Sequence, residues 1–167
     1  MTETGHAECA RYQKAVDAVR GAAAIAKEEL ARSPHGVVLL MDLDGMGDIT
    51  ARHGLPLGDR LLRQIEANLR VRLGGCAAVT RMAGDEFLVI VPGVVGDVGS
   101  RMLVDSVLQT IEHSTIRTCW LRRPVRVTAT AGRAAWHDEA TRASVLARAA
   151  DRLIVAKRPS KSPLPRS

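Results

Sequence analysis

The chain has 167 residues, 46% apolar but only 2% aromatic, which suits one domain with an aliphatic core, and its scattered Cys9, Cys76 and Cys119 exclude a disulfide framework or a paired-cysteine metal clip. No apolar run approaches the roughly 20 residues that span a bilayer, and the start MTETGHAECARYQK lacks a signal-peptide core, so a soluble cytoplasmic protein without a membrane partner is expected. The net charge of +6 is uneven: residues 1–100 carry 11 basic and 13 acidic groups, residues 101–167 carry 13 and 5.

Residues 7–31 place Tyr12, Val16, Val19, Ala23, Ala26 and Leu30 at helical spacing, and Ser33-Pro34 ends the pattern. One amphipathic helix is expected there, within an N-terminal extension over 1–35. The run Val37–Met41 reads as a strand buried on both faces, with Asp42 and Asp44 at its end. A short helix is expected over 46–53. A longer one over 57–73 follows from Leu61, Leu62, Ile65, Leu69 and Leu73. AAVTRM and FLVIVP flank Ala83-Gly84-Asp85-Glu86, a link of hairpin length. A helix over 98–113, a strand in PVRVTATAG (124–132) and a helix in RASVLARAADRLIVAK (142–157) complete the order.

Four strands with a central hairpin and helices on one face imply an α+β domain, a ferredoxin-like, palm-type antiparallel sheet in the order βααββαβ over residues 36–158. Residues 159–167, rich in Pro and Ser, read as a flexible basic tail.

Acids at a hairpin tip are usually solvated turn residues. In a ferredoxin-like sheet, however, the first strand neighbours the hairpin, so Asp42, Asp85 and Glu86 are expected to converge. Three close carboxylates repel one another, which a hard divalent cation relieves. DLDGMGDITARH also sets Asp42, Asp44 and Gly47 at positions 1, 3 and 6 of an EF-hand loop, but Met46 and His53 occupy positions 5 and 12, where oxygen ligands belong. An apolar strand followed by DLDG also resembles the first motif of haloacid-dehalogenase-like phosphatases. That family continues with Thr where this chain has Met46, and wants its later acids on a parallel strand rather than a hairpin.

One family resembles both motifs at once. DLDGMGDITARHGLPLGDRLL is similar to the strand-end Asp, helix and Gly-Asp pair of the diguanylate cyclases, and RMAGDEF resembles the hairpin that gives this GGDEF family its name. Asp42 and Asp59 stand 17 residues apart, as in the family. The resemblance implies condensation of two GTP molecules into cyclic di-GMP by in-line phosphoryl transfer, with Mg²⁺ or Mn²⁺, in an at least transient homodimer whose subunits each present one GTP.

By resemblance Asp42 and Glu86 are metal ligands assisted by the Leu43 carbonyl. Asp85 is a further ligand, or helps deprotonate the attacking 3′-hydroxyl. Gly84 admits the nucleotide to the backbone, the amides of Gly45 and Met46 cradle the β- and γ-phosphates, and Asp59 takes the guanine edge. Lys157 and Lys161 match the phosphate-gripping basic pair, with Arg158 an alternative across a one-residue gap.

Several positions depart from the family pattern. Ala83 replaces the first signature Gly, which is costly only if φ there is positive. Thr50 replaces a guanine-reading Asn, and Gly47 a phosphate-binding Lys. His53-Gly54 inverts a Gly-His pair. The family's Asp-x-Leu-Thr-Gly-Leu-x-Asn-Arg motif is absent ahead of the first strand, and Gly74 and Ala77 stand where its inhibitory Arg-x-x-Asp would be. The alternative expectation is therefore a degenerate, catalytically inactive GGDEF domain that binds a nucleotide or a protein. A nucleic-acid binder rests only on the basic half, and four aromatic residues are too few for base-stacking platforms.

Overall fold

The structure, a computed structural model, describes residue 23, residues 26–117 and residues 124–157. Strand β1 (Gly36–Asp44) occupies the middle of a four-stranded sheet and is buried along almost all of its length. Its apolar run leaves no polar face, so it requires cover on both sides. Strands β2 (Ala78–Arg81), β3 (Glu86–Pro92) and β4 (Thr128–Trp136) join it in the order β2-β3-β1-β4, every neighbouring pair antiparallel. This is the ferredoxin-like α+β arrangement expected from the order of elements.

The helices are α1 (Met46–His53), α2 (Leu55–Leu73), α3 (Asp97–His113) and α4 (Glu139–Ala156), with one 3₁₀ turn at Gly74–Cys76. They cover both faces of the sheet, contrary to the one-faced arrangement expected from the order of elements. Alternation along β1 separates two cores. Val37, Leu39, Met41 and Leu43 pack with Leu61, Ile65 and Leu69 of α2 and Val107 and Ile111 of α3. Val38 and Leu40 point the other way, toward Val145, Ala149 and Leu153 of α4. Two-sided burial of β1 thus overrides the one-faced arrangement.

Ala26 and Leu30, in the helical stretch 26–31, also bury in the α4-side core, and the Trp136 indole N–H donates to the Ser33 carbonyl at 3.1 Å. The rest of the helix expected over 7–31 lies outside the described residues, apart from helical Ala23, as do Arg158 and the tail 159–167. The last strand differs from expectation. Pro124–Val127 stand outside it, Val125 bridging only Ile116, and β4 instead runs on through Gly132 to Trp136. Gly132 looks like a strand terminator in sequence. It is an interior residue because α4 lies directly against it.

Candidate functional site

Across the β1–β3 pair, Asp42 stands opposite Glu86. Both are buried, at 7% and 6% exposure. Period-two alternation puts them on the α4 side of the sheet, and Lys157, at the C-terminus of α4, sets its ammonium on Asp42 Oδ1. Two carboxylates side by side in a covered position call for positive charge, part of which this lysine supplies. Asp44, two residues on, accepts from the hydroxyls of Thr128 (2.9 Å) and Thr130 (3.1 Å) of β4.

The hairpin turn spans Met82–Asp85, closed by Met82 N–H to the Glu86 carbonyl (2.9 Å) and Glu86 N–H to the Ala83 carbonyl (3.1 Å). Glu86 is already the first residue of β3 rather than part of the link. Gly84 takes the left-handed conformation at φ 61°, whereas no non-glycine residue among those described has positive φ. The Ala83 replacement is therefore unstrained. The Asp85 carbonyl accepts from Leu43 N–H at 3.1 Å, fastening the turn to the end of β1. Among the described residues, no three of His, Cys, Asp and Glu gather closely enough to hold a metal ion. Asp42 and Glu86 are opposite one another and offer carboxylate oxygens, the donor type that suits a hard divalent cation.

On the α2 side of the same turn lies a cleft of about 360 Å³. Thr50, Asp59, Arg81, Gly84 and Asp85 line it together with Met46. Gly45 enters α1 at φ 77°, and no side chain caps that helix, so the first-turn amides meet no capping acceptor. The Thr50 hydroxyl donates to the carbonyls of Met46 (3.0 Å) and Gly47 (2.9 Å), and its methyl packs where a Cβ on Gly58 would stand, 2.5 Å away. Thr50 thus spends its polar group on its own helix. Lys161 lies outside the described residues.

Arg81 was not singled out in the sequence. Its Nη1 donates to Asp59 at 2.9 Å and its Nε to the Gly84 carbonyl at 3.0 Å, so one guanidinium ties the cleft's carboxylate to the hairpin. Arg63 holds the other Asp59 oxygen at 2.9 Å. A basic residue at the end of a strand just before the acidic turn was the available signal. The hydrogen bond from Arg81, followed by the charge of Arg63, lowers the Asp59 pKa below its ordinary value, against the opposing effect of burial. Asp97 and Asp138 are lowered as well, by hydrogen bonds led by Arg133 and Thr141 respectively.

A carboxyl whose folded pKa is depressed contributes stability above its unfolded pKa and loses it as pH falls through the folded value. Stability is therefore expected to fall as pH drops from about 5 toward 3. Asp59→Asn should flatten part of that slope in urea denaturation at a series of pH values. An unchanged slope would mean that these ion pairs do not form in solution.

A family model described as "Diguanylate cyclase, GGDEF domain" matches residues 21–162. The probable diguanylate cyclase DgcF of Escherichia coli K12 is 26% identical over 109 residues, 65% of this chain and 34% of that protein. Among solved structures, the GGDEF domain of YfiN from Pseudomonas aeruginosa superposes with a TM-score of 0.65 at 28% identity, covering 82% of this chain and 83% of the other. The diguanylate cyclase SiaD of Pseudomonas aeruginosa, solved with its activator SiaC, gives a TM-score of 0.69 at 24% identity over 79% of this chain and 51% of that one, a likeness of fold. The chain spans from a tenth to about a third of the length of the curated relatives it matches. No helix among the described residues is long and apolar enough to cross a membrane.

Proposed function

The chain belongs to the GGDEF family of diguanylate cyclase domains, and from that premise we propose that it condenses two GTP molecules into cyclic di-GMP as a transient homodimer in the cytoplasm. The observation that carries this reading is the buried Asp42–Glu86 pair, in register across β1 and β3 directly beneath the AGDEF turn. Asp42, Glu86 and the Leu43 carbonyl would hold Mg²⁺ or Mn²⁺, which when bound neutralises developing charge on the phosphates. Asp85 accepts the proton of the ribose 3′-hydroxyl, or adds a further oxygen ligand. The ribose 3′-oxygen bonds the α-phosphorus of the partner's GTP as the bond to the β-phosphate breaks and pyrophosphate leaves, and the reciprocal attack by the other 3′-oxygen releases the second pyrophosphate and closes the ring.

The uncapped first-turn amides of α1, at Gly45 and Met46, receive the β- and γ-phosphates. Gly84 admits the nucleotide to the backbone, and the cleft holding Asp59 and Thr50 receives the base. Lys157 and Lys161 grip the phosphates, so substrate binding draws Lys157 from Asp42. The test is incubation of pure, concentrated protein with GTP and MgCl₂ and identification of products by mass. Cyclic di-GMP is the expected product, and no cyclic dinucleotide from any NTP mixture would end the proposal.

A second reading has its own support. Both Asp59 oxygens are engaged by arginines and the Thr50 hydroxyl turns inward, so the base site offers little to a guanine edge. A domain that binds a nucleotide without turnover would keep this arrangement, and calorimetry showing GTP binding with no product would select it. Under the catalytic reading, Thr50→Asn tests where the base sits. Restoring a side-chain amide in the cleft should lower KM for GTP about tenfold, roughly one hydrogen bond to an otherwise unpaired base group. Steady-state kinetics with GTP and ATP check this, and an unchanged KM would place the base elsewhere.

A further inference from the structure

A second cleft, of about 380 Å³, opens at the opposite end of the sheet. It lies where the chain leaves β3 for α3 and where β4 ends against α4, a strand length, roughly 20 Å, from Asp42 and Glu86. Arg133, Arg148 and Arg152 line it, with Asp97, Ser100 and His137. We propose that this cleft binds the phosphate group of a small phosphate-bearing molecule.

The charge balance of the cleft is the first support. Asp97, the one lining carboxylate, is already shared by two guanidiniums: Arg133 at 2.7 Å and, from outside the cleft, Arg101 at 2.6 Å. Arg148 and Arg152 have no carboxylate ion pair among the described residues. Arg148 Nη2 donates to the carbonyls of Ala135 (2.6 Å) and Thr141 (2.8 Å), and Arg152 to that of Arg133. Nearby Asp138 spends its carboxylate on capping α4 through Thr141, with His137 beside it at 3.4 Å. Three lining guanidiniums against one lining carboxylate, with Asp138 close enough for the charge of Arg148 to lower its pKa, leave the cleft net positive, as an anionic phosphate group requires.

Unfilled donors are the second support. Arg148 Nε is buried with no hydrogen-bond partner, the one such side-chain atom among the described residues. Arg148 Nη2 is held by two carbonyls, so this guanidinium has donor capacity that its present contacts do not fill. The third is α3 itself. It starts from Gly96, which offers no capping side chain, so its first-turn amides add donors with the dipole in the same sense. Arginine is the residue that matches phosphate oxygens in pairs.

The experiment is titration of the ¹⁵N-labelled full chain with inorganic phosphate, then separately with AMP and GMP, followed by NMR. Saturable shifts of the Val98 and Gly99 amides and of the Arg152 side-chain signals are expected. The mononucleotide titrations then show whether the cleft takes the group free or carried on a nucleoside. Arg152→Gln, at an exposed position, should weaken binding at least about tenfold, the loss of one charge-assisted contact, with an unchanged melting curve. Arg148→Lys keeps the charge but loses the planar donor set, and should weaken it as well. Shifts that sodium chloride reproduces at equal ionic strength, shifts confined to residues 42–46 and 84–86, or unchanged affinity in Arg152→Gln would overturn the proposal.

Discussion

Glu86→Gln is expected to lower Mg²⁺-dependent formation of cyclic di-GMP at least about 100-fold, since loss of a metal's outer-shell partner alone costs 10 to 100-fold and Glu86 is proposed to touch the ion itself. The variant keeps the shape of a side chain that is 6% exposed and removes its charge. Fold loss is not expected to confound the result, because neutralising one of two adjacent buried carboxylates relieves repulsion while Lys157 still balances Asp42. The melting temperature should hold or rise as turnover collapses. Product analysis by mass together with thermal denaturation checks both halves, and a variant as active as the parent would remove Glu86 from the chemistry.

Gly132→Ala should destabilise the protein by about 3 kcal/mol, the upper part of the range for overpacking a close contact. A Cβ at this point of β4 would stand well inside van der Waals distance of the Ala149 carbonyl oxygen and the Leu153 nitrogen of α4, and 2.8 Å from the Leu153 Cβ. Two of those atoms are backbone and cannot rotate aside, so the whole helix must retreat. Because α4 carries Lys157, the retreat should also unseat the ammonium from Asp42. Urea denaturation measures the first effect. Gly75→Ala, where a Cβ meets nothing within 4 Å, is the control and should shift stability by no more than about 0.5 kcal/mol. Equal behaviour of the two variants would show that α4 does not sit tightly on β4.

The parts of this molecule that were legible in its sequence are those governed by local periodicity. The apolar run in β1, the leucine spacing of α2 and the turn chemistry around Gly84 each predicted an element that formed. Strand order led to the expectation that Asp42, Asp85 and Glu86 converge; the structure pairs Asp42 with Glu86 but leaves Asp85 lining the α2-side cleft, and no three acids among the described residues gather. What escaped depends on contacts between distant segments. Arg81 and Asp59 lie 22 residues apart and meet only because α2 crosses the hairpin. Gly132 looked like the end of a strand because nothing local announces the helix backbone pressed against it. The placing of helices on both faces was implicit in β1, whose run of apolar residues has no solvent side, but a strand's need for cover does not say which helix provides it. Lys157 was matched to a phosphate role by resemblance, and its contact with Asp42 became visible only once α4 was placed on the sheet.

The separation of the interior by β1 into two layers also bears on how the molecule opens. Each layer has its own helices, so α4 can detach in a local opening while α2 and α3 keep the other side of the sheet closed. Amides of β1, hydrogen-bonded on both edges and covered on both faces, should then be the last to exchange with deuterium, and those of α4 should exchange earlier. On that expectation Asp42 is mounted on the slowest-opening strand, while the lysine facing it rides on a helix that opens earlier. Asp42 should then stay in place through openings that withdraw Lys157, so the charge around it would change on a faster timescale than its geometry.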